Sequence, residues 1–510
     1  MDNDRTAGSP FLTDWAILTY LALAKLLIHL SLNGRYGYHH DELYFIACGR
    51  HLSFGYVDHA PLVPWIARLS LSVFGHSLRG LRFLPALSGA LTVFLTGMLV
   101  RRMGGRRFAQ TVACIAVIIA PVFLRSGNVL AIPSFEPMYW VLASYLVVRI
   151  VQEDKPRLWL WVGLVVGVGL MNKHTMVFFG AALVAGLILT PSRKYFKSPW
   201  LWAGGALALL IFLPNILWQI ANGWPTLEFV QALNAGTMSR IPLVEFLFGQ
   251  VLYLHPVNAP VWLAGLCFFI FSKAGKPYRI LGWIYVTVFV LLLVAKSKIY
   301  YLAPAYPALL AGGGLAIERF ATRRQWDWLK PVTMAALAVG GMVFAPPALP
   351  ILDIDTTDRY VRIATLGAIK NAYELTGDLH GQFGWEERVA AVAAVYDGLS
   401  AEEKAQCTVF AAWYGLAGAI DYFGDAYGLP NAISGHMTYY LWGPGEGPHE
   451  TVIAVGIDSD SLARAFDDVQ EAAVFSHPHI NPWDNNLLIA VCRRPKQSLH
   501  TLWPRLRDWD

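Results

Sequence analysis

Two polar groups fall close together near the start of the chain. Asp41 and Glu42 form an acidic pair beside His39, His40 and Tyr44, and Tyr56, Asp58 and His59 follow in the same segment. A carboxylate held within hydrogen-bond reach of a hydroxyl can take its proton in a transition state. Tyrosine hydroxyls, imidazoles and cations nearby can steady an oxyanion as it departs. Further along, Glu136 stands between Pro133 and Pro137, His255 precedes Pro256, and Lys296 and Lys298 run into Tyr300 and Tyr301. Each also has an ordinary reading. An acidic pair at a helix start is commonly a cap, and a lysine at a helix end commonly snorkels.

These residues need elements to hold them. Asp41 and Glu42 open a helical stretch through about Arg50, where the helix dipole favours acids in the first turn. Leu43, Tyr44, Ile46 and Ala47 give it an apolar face, suited to lying along a membrane surface. A turn at Ser53 to Gly55 and a second amphipathic helix from Pro61 to about Phe74 complete a loop of residues 33–82.

The rest of the chain explains why that loop meets a membrane. It has 510 residues, 55% hydrophobic and 15% charged, against about 25% charged in an ordinary soluble domain. A crossing needs about 20 apolar residues. About eleven segments approach that on the length criterion, near 14–32, 83–100, 108–124, 136–151, 158–171, 174–190, 199–218, 245–271, 280–295, 301–318 and 331–349. Alternate connectors carry the basic residues: Arg101 to Arg107, Arg149 to Arg157, Arg193 to Lys197, Lys273 to Arg279 and Arg319 to Lys330. The positive-inside bias then puts the N-terminus in the cytoplasm and everything after Pro350 outside. The polar N-terminal stretch shows no cleavable leader pattern. The net charge of +5 sorts into short loops and makes no nucleic-acid patch.

After Pro350 charges appear throughout and apolar runs shorten. Residues 386–399 and 458–474 read as amphipathic helices, and 408–412, 451–456 and 487–491 as short buried strands. The fold class is therefore mainly α: a polytopic transmembrane helical bundle of residues 1–350 carrying the outer loop, and a small extracytoplasmic α/β domain of residues 351–510. Cys407 and Cys492 both fall in that domain, and their pairing is left open. Lys173 and His174 read as a solvated outer turn, His29 as a hydrogen-bonded core histidine, and Arg125 as the partner of Glu136. A divalent metal is left open, Asp58, His59 and His255 being of ligand type without a compact spacing that demands one.

Several stretches together resemble a known family. Asp41-Glu42-Leu43-Tyr44, Gly55-Tyr56-Val57-Asp58-His59-Ala60-Pro61-Leu62, Arg82 to Gly89, Pro133-Ser134-Phe135-Glu136-Pro137 and Lys296 to Pro304 are similar in order and spacing to glycosyltransferase family 39, the protein O-mannosyltransferases and aminoarabinose transferases, over roughly the first 350 residues. The resemblance implies the C-type membrane fold and inverting transfer of a sugar from a polyprenyl phosphate donor to a lipid, glycan or protein hydroxyl on the outer face of the cell (inner) membrane. It implies Asp41 as general base, with Glu42 beside it and Glu136 in the place where Asp is common. Tyr56, Asp58, His59, His255, Lys296, Lys298, Tyr300 and Tyr301 are the residues it points to for the donor phosphate and sugar. Ala60 departs from the family's Asp-His-Pro-Pro pattern. Two other functions fit a polytopic chain: a polyprenyl-lipid or small-molecule transporter, for which no internal repeat is found, and a non-catalytic assembly subunit working through its tail.

Overall fold

In the computed structural model, which describes residues 13–235 and 241–509, the chain divides into two compact units. One runs up to Asn33, then Arg82–Ala221 and Asn234–Ile351; the other joins Gly34–Leu81, Asn222–Leu233 and Leu352–Asp510. The outer loop, expected to belong to the helical domain, thus groups with the last third of the chain. Most of the polar N-terminal stretch and residues 236–240 lie outside the described residues.

The first unit is all helical. Among the described residues, five helices are long and apolar enough to cross a bilayer: Asp14–Leu32, Leu78–Arg102, Pro199–Ala221, Lys276–Val294 and Leu329–Ala348. Two bent pairs raise this to seven, Met176–Ile188 with Pro191–Lys197 at 109° and Leu243–Leu254 with Pro256–Phe271 at 94°. The difference from eleven uniform spans has local causes. The segment expected at 108–124 breaks at Ala120, because Pro121 cannot donate to the preceding turn, and the helix Arg107–Ile119 is left too short to span alone. The segment expected at 245–271 breaks at His255, whose φ of 82° ends the helix before Pro256. His255 Nδ1 accepts the Val257 N–H at 3.0 Å and its ring packs on Phe344 at 4.3 Å.

Ion pairs gather the basic connectors at one end of this unit. Glu153 meets Arg102, Arg149 and Lys155, Asp154 meets Lys194, and Asp14 meets Arg101 and Arg107. Gln152 donates to the Tyr278 hydroxyl at 2.8 Å, and Glu318 accepts the Arg106 N–H at 2.9 Å. The alternation read from sequence therefore describes one physical face. Inside the bundle, Ala259–Phe271 and Tyr306–Arg324 touch backbone to backbone: a Cβ on Gly265 would lie 1.9 Å from the Leu309 carbonyl oxygen, and one on Gly313 2.0 Å from that of Val261. Small residues permit such contact, which is the main source of helix association in lipid.

Asp14–Leu32 also buries Lys25 and His29. Lys25 Nζ donates to the carbonyls of Ile118 and Phe123 at 3.3 and 3.0 Å, satisfying backbone that the Pro121 break leaves open. His29, expected to be hydrogen-bonded, has no partner at either ring nitrogen among the described residues.

The second unit contains a five-stranded sheet. Its strands are β1 (Cys407–Ala411), β2 (Ala432–Ile433), β3 (Thr451–Val455), β4 (Phe466–Phe475) and β5 (Leu487–Pro495), in the order β2-β1-β3-β5-β4. β1 is parallel to β2 and β3, while β3–β5 and β5–β4 are antiparallel. The helix expected over 458–474 is instead a short one, Ser459–Ala465, followed by the edge strand β4. Trp385–Asp397 is helical as read. Cys407 and Cys492 are free thiols. The loop helices expected from Asp41 and Pro61 are His40–Arg50 and Leu62–Phe74. His40–Arg50 packs on Tyr414–Phe423 at Gly418, where a Cβ would come 2.9 Å from the Leu43 carbonyl carbon.

Candidate active site

The acidic pair splits into two roles. His39 is the N-cap of His40–Arg50, and Glu42, three residues on, turns back so that Oε2 accepts the His39 N–H at 2.9 Å. This is a capping box, and Glu42 is fully buried. Asp41 keeps a third of its side chain in solvent. Its Oδ1 accepts the Tyr414 hydroxyl at 3.0 Å, His40 Nε2 lies 3.5 Å from Oδ1, and His39 Nδ1 lies 3.8 Å from Oδ2. The first turn of a helix favours its negative charge. Geometry thus sets Asp41 apart as the carboxylate able to meet a hydroxyl.

Asp58 is tied to the same group through a tyrosine pair. The Tyr44 hydroxyl lies 2.7 Å from Asp58 Oδ1 and 2.7 Å from Thr438 Oγ1. The Tyr44 ring stacks on that of Tyr414 at 4.5 Å. Burial, reinforced by Asp58, holds the Tyr44 phenol well above its ordinary range, so it stays a donor. Neither Tyr414 nor Thr438 stood out in the sequence; both lie nearly 400 residues from their partners.

Other expected ligands make local hydrogen bonds. The Tyr56 hydroxyl closes its own loop, donating to the Cys48 and His51 carbonyls at 3.0 and 3.2 Å and accepting the Ser53 N–H at 3.1 Å. His59 is buried, with Nδ1 3.0 Å from the Ala60 carbonyl oxygen and Nε2 3.8 Å from Asp58 Oδ1. His255 sits in the helix break described above. Among the described residues, His39, His40 and Asp41 group as possible metal ligands, with ligand atoms within 4.8 Å of one another. His39 Nδ1 already accepts the Asp41 N–H at 3.3 Å, and the positive end of a helix opposes a cation. This donor set fits a cap better than a resident metal, and Asp58 with His59 supplies only two ligands.

The helical unit carries the second polar centre. Glu136, at the start of Glu136–Glu153, is 2% exposed. It is bridged by Lys173 Nζ at 3.0 Å and accepts the Thr175 hydroxyl. Lys173 is not the solvated turn residue expected: its ammonium lies 4.1 Å from the Tyr301 ring and 5.4 Å from the Tyr300 ring. Short apolar runs on both sides gave no hint of this pairing. Lys296 and Lys298 follow Arg279–Val294, and neither makes an ion pair with a described carboxylate.

This fold is that of a membrane glycosyltransferase. The ArnT of Cupriavidus metallidurans superposes on 93% of this chain and 97% of its own in the apo state, with a TM-score of 0.60 and 16% identity. The same enzyme bound to undecaprenyl phosphate superposes on 94% and 98%, again with a TM-score of 0.60 and 16% identity. A family profile described as dolichyl-phosphate-mannose-protein mannosyltransferase matches residues 58–218. No curated protein matches the sequence significantly. The chain is thus a multi-pass membrane protein with the C-type glycosyltransferase fold, and the resemblance read from its motifs and the similarity of its fold point to the same class.

Proposed function

We propose that this protein transfers a sugar from a polyprenyl-phosphate-linked donor to a hydroxyl acceptor, with inversion, at the outer face of the membrane. Asp41 takes the acceptor proton, the freed oxygen attacks the anomeric carbon, and the bond to phosphate breaks on the opposite face, leaving the phosphate on its lipid. The observation that carries the reading is the division of labour in the acidic pair: a part-exposed Asp41 held by a neutral phenol, next to a Glu42 consumed as a cap. The polyprenyl donor is supported by the ligand of the C. metallidurans ArnT and by the dolichyl phosphate in the family's description.

Charge favours an anionic leaving group on the helical unit. Lys173 spends its charge on Glu136, while Lys296 and Lys298 have no acidic partner among the described residues. Basic residues disfavour the outer end of a span, and a lipid phosphate supplies the reason for them, with Tyr300 and Tyr301 alongside. With the ion-paired connectors in the cytoplasm, residues 351–510 are extracytoplasmic. The test is turnover of the purified protein against a panel of polyprenyl phosphate sugars. Asp41→Asn is expected to abolish it and Glu42→Gln to leave most of it. An Asp41→Asn enzyme with near wild-type turnover would refute the assignment.

A further inference from the structure

The second unit holds a cavity lined by none of the residues assigned to the transfer step. It lies where the sheet changes direction. β1 leads through Tyr414–Phe423 to β2 on one side, and the chain then crosses to β3 on the other. The carboxyl ends of two parallel strands therefore diverge, and crevices at such switch points are where open α/β sheets bind ligands. Here the crevice encloses about 670 Å³, within the range of small-molecule sites.

Its lining has a definite chemistry. Trp413 follows β1, Asp460 follows β3, and Trp483, Asn485 and Asn486 precede β5. The two indoles lie 5.5 Å apart, and Trp483 is 59% exposed. Aromatic faces beside amide and carboxylate hydrogen-bonding groups suit a sugar ring, which offers apolar C–H faces and a rim of hydroxyls. The charge is one-signed: no lysine, arginine or histidine lines the crevice. Asp484 is neutralised by Arg388, whose Nη1 lies 2.5 Å from its Oδ2, and Asp458 caps the Ser461 N–H at 2.8 Å. Asp460 is exposed and makes no hydrogen bond or ion pair with a described residue. A phosphorylated ligand would meet only like charge; a neutral or amine-bearing one would not.

The crevice also adjoins Asp41. Trp413 is followed by Tyr414, which donates to Asp41, and the Trp413 ring meets the His40 ring at 5.4 Å. We infer that this crevice is an acceptor subsite for an unphosphorylated glycan, neutral or carrying amines. As an acceptor site it rests on the transferase reading above; as a glycan site it does not.

Calorimetry on the full chain in detergent tests it, with three probes: the tetramer of N-acetylglucosamine, the tetramer of glucosamine, and a glucosamine disaccharide phosphate. The two tetramers are expected to bind, and the phosphate at least about tenfold more weakly. Trp483→Ala, at an exposed position, is expected to weaken both tetramers by about tenfold or more. Asp460→Asn is expected to weaken the glucosamine tetramer alone. Binding is read without turnover, so a failed transferase assignment and a failed glycan site give different results. Equal binding by Trp483→Ala, equal or tighter binding of the phosphate, or no binding of either tetramer at millimolar concentration overturns the proposal.

Discussion

Asp41 and Glu136 are two carboxylates at two polar centres, and they are treated in opposite ways. Glu136 is buried and met by an ammonium and a hydroxyl. Asp41 is part-exposed, with a phenol as its hydrogen-bond donor and two imidazoles at longer range. A carboxylate answered by a fixed cation is neutralised in place and becomes part of the scaffold. One answered chiefly by a neutral donor keeps an open lone pair for an incoming hydroxyl. The contrast suggests that positioning and proton transfer are assigned to different acids here.

Mutations can break this contrast, and the largest effect is expected at Asp41. Asp41→Asn keeps size and removes the base, and should lower turnover by roughly 10²–10⁴ with an unchanged melting temperature. Next, Lys173→Met strands the Glu136 charge and should cost about 3–5 kcal/mol of stability, read as a lowered midpoint in a detergent melt. If the pair is scaffold, the double variant Lys173→Met with Glu136→Leu should recover much of that loss. Recovery of stability without recovery of turnover would show that the pair also touches substrate.

A smaller effect belongs to Glu42. Glu42→Gln weakens one half of the capping box and should cost about 1 kcal/mol, with turnover within a few-fold of wild type. A separate effect, read as a pH slope, concerns a third carboxylate, Asp421, which sharpens the comparison. It accepts the Tyr439 hydroxyl at 2.6 Å and the Ala432 N–H at 2.8 Å, and burial pushes its carboxyl up to about 6. The folded form then binds a proton more tightly than the unfolded chain does. Stability from this group is present at low pH and is lost as pH rises from about 4 to about 6. A melt series across that window should show the slope, and Asp421→Asn should flatten it.

What could be read from sequence was whatever local pattern decides. The first span, the helix opened by Asp41 and the strands at β1, β3 and β5 follow from apolar runs and their punctuation. β4 was misread for a physical reason. Phe466, Val469 and Ala473 fall at helical spacing although they lie in a strand, and pairing with β5, which only the fold supplies, decides the matter. The Asp41 motif was legible through its resemblance. What holds Asp41 was not, because Tyr414 reaches it across 373 positions. Lys173 was misjudged likewise: a lysine between short apolar runs looks solvated until the fold brings Glu136 to it.

The packing of Gly418 on the Leu43 backbone bears on how the molecule is made. The helix carrying Asp41 leaves the ribosome first, but the surface it rests on comes last. At about 5–20 residues per second, the early segment waits tens of seconds for its seat. Until then an apolar, histidine-rich stretch has no home, and a membrane surface is its natural holding place. Activity can therefore begin only once the whole polypeptide has been threaded and folded, so a prematurely terminated chain is silent by construction.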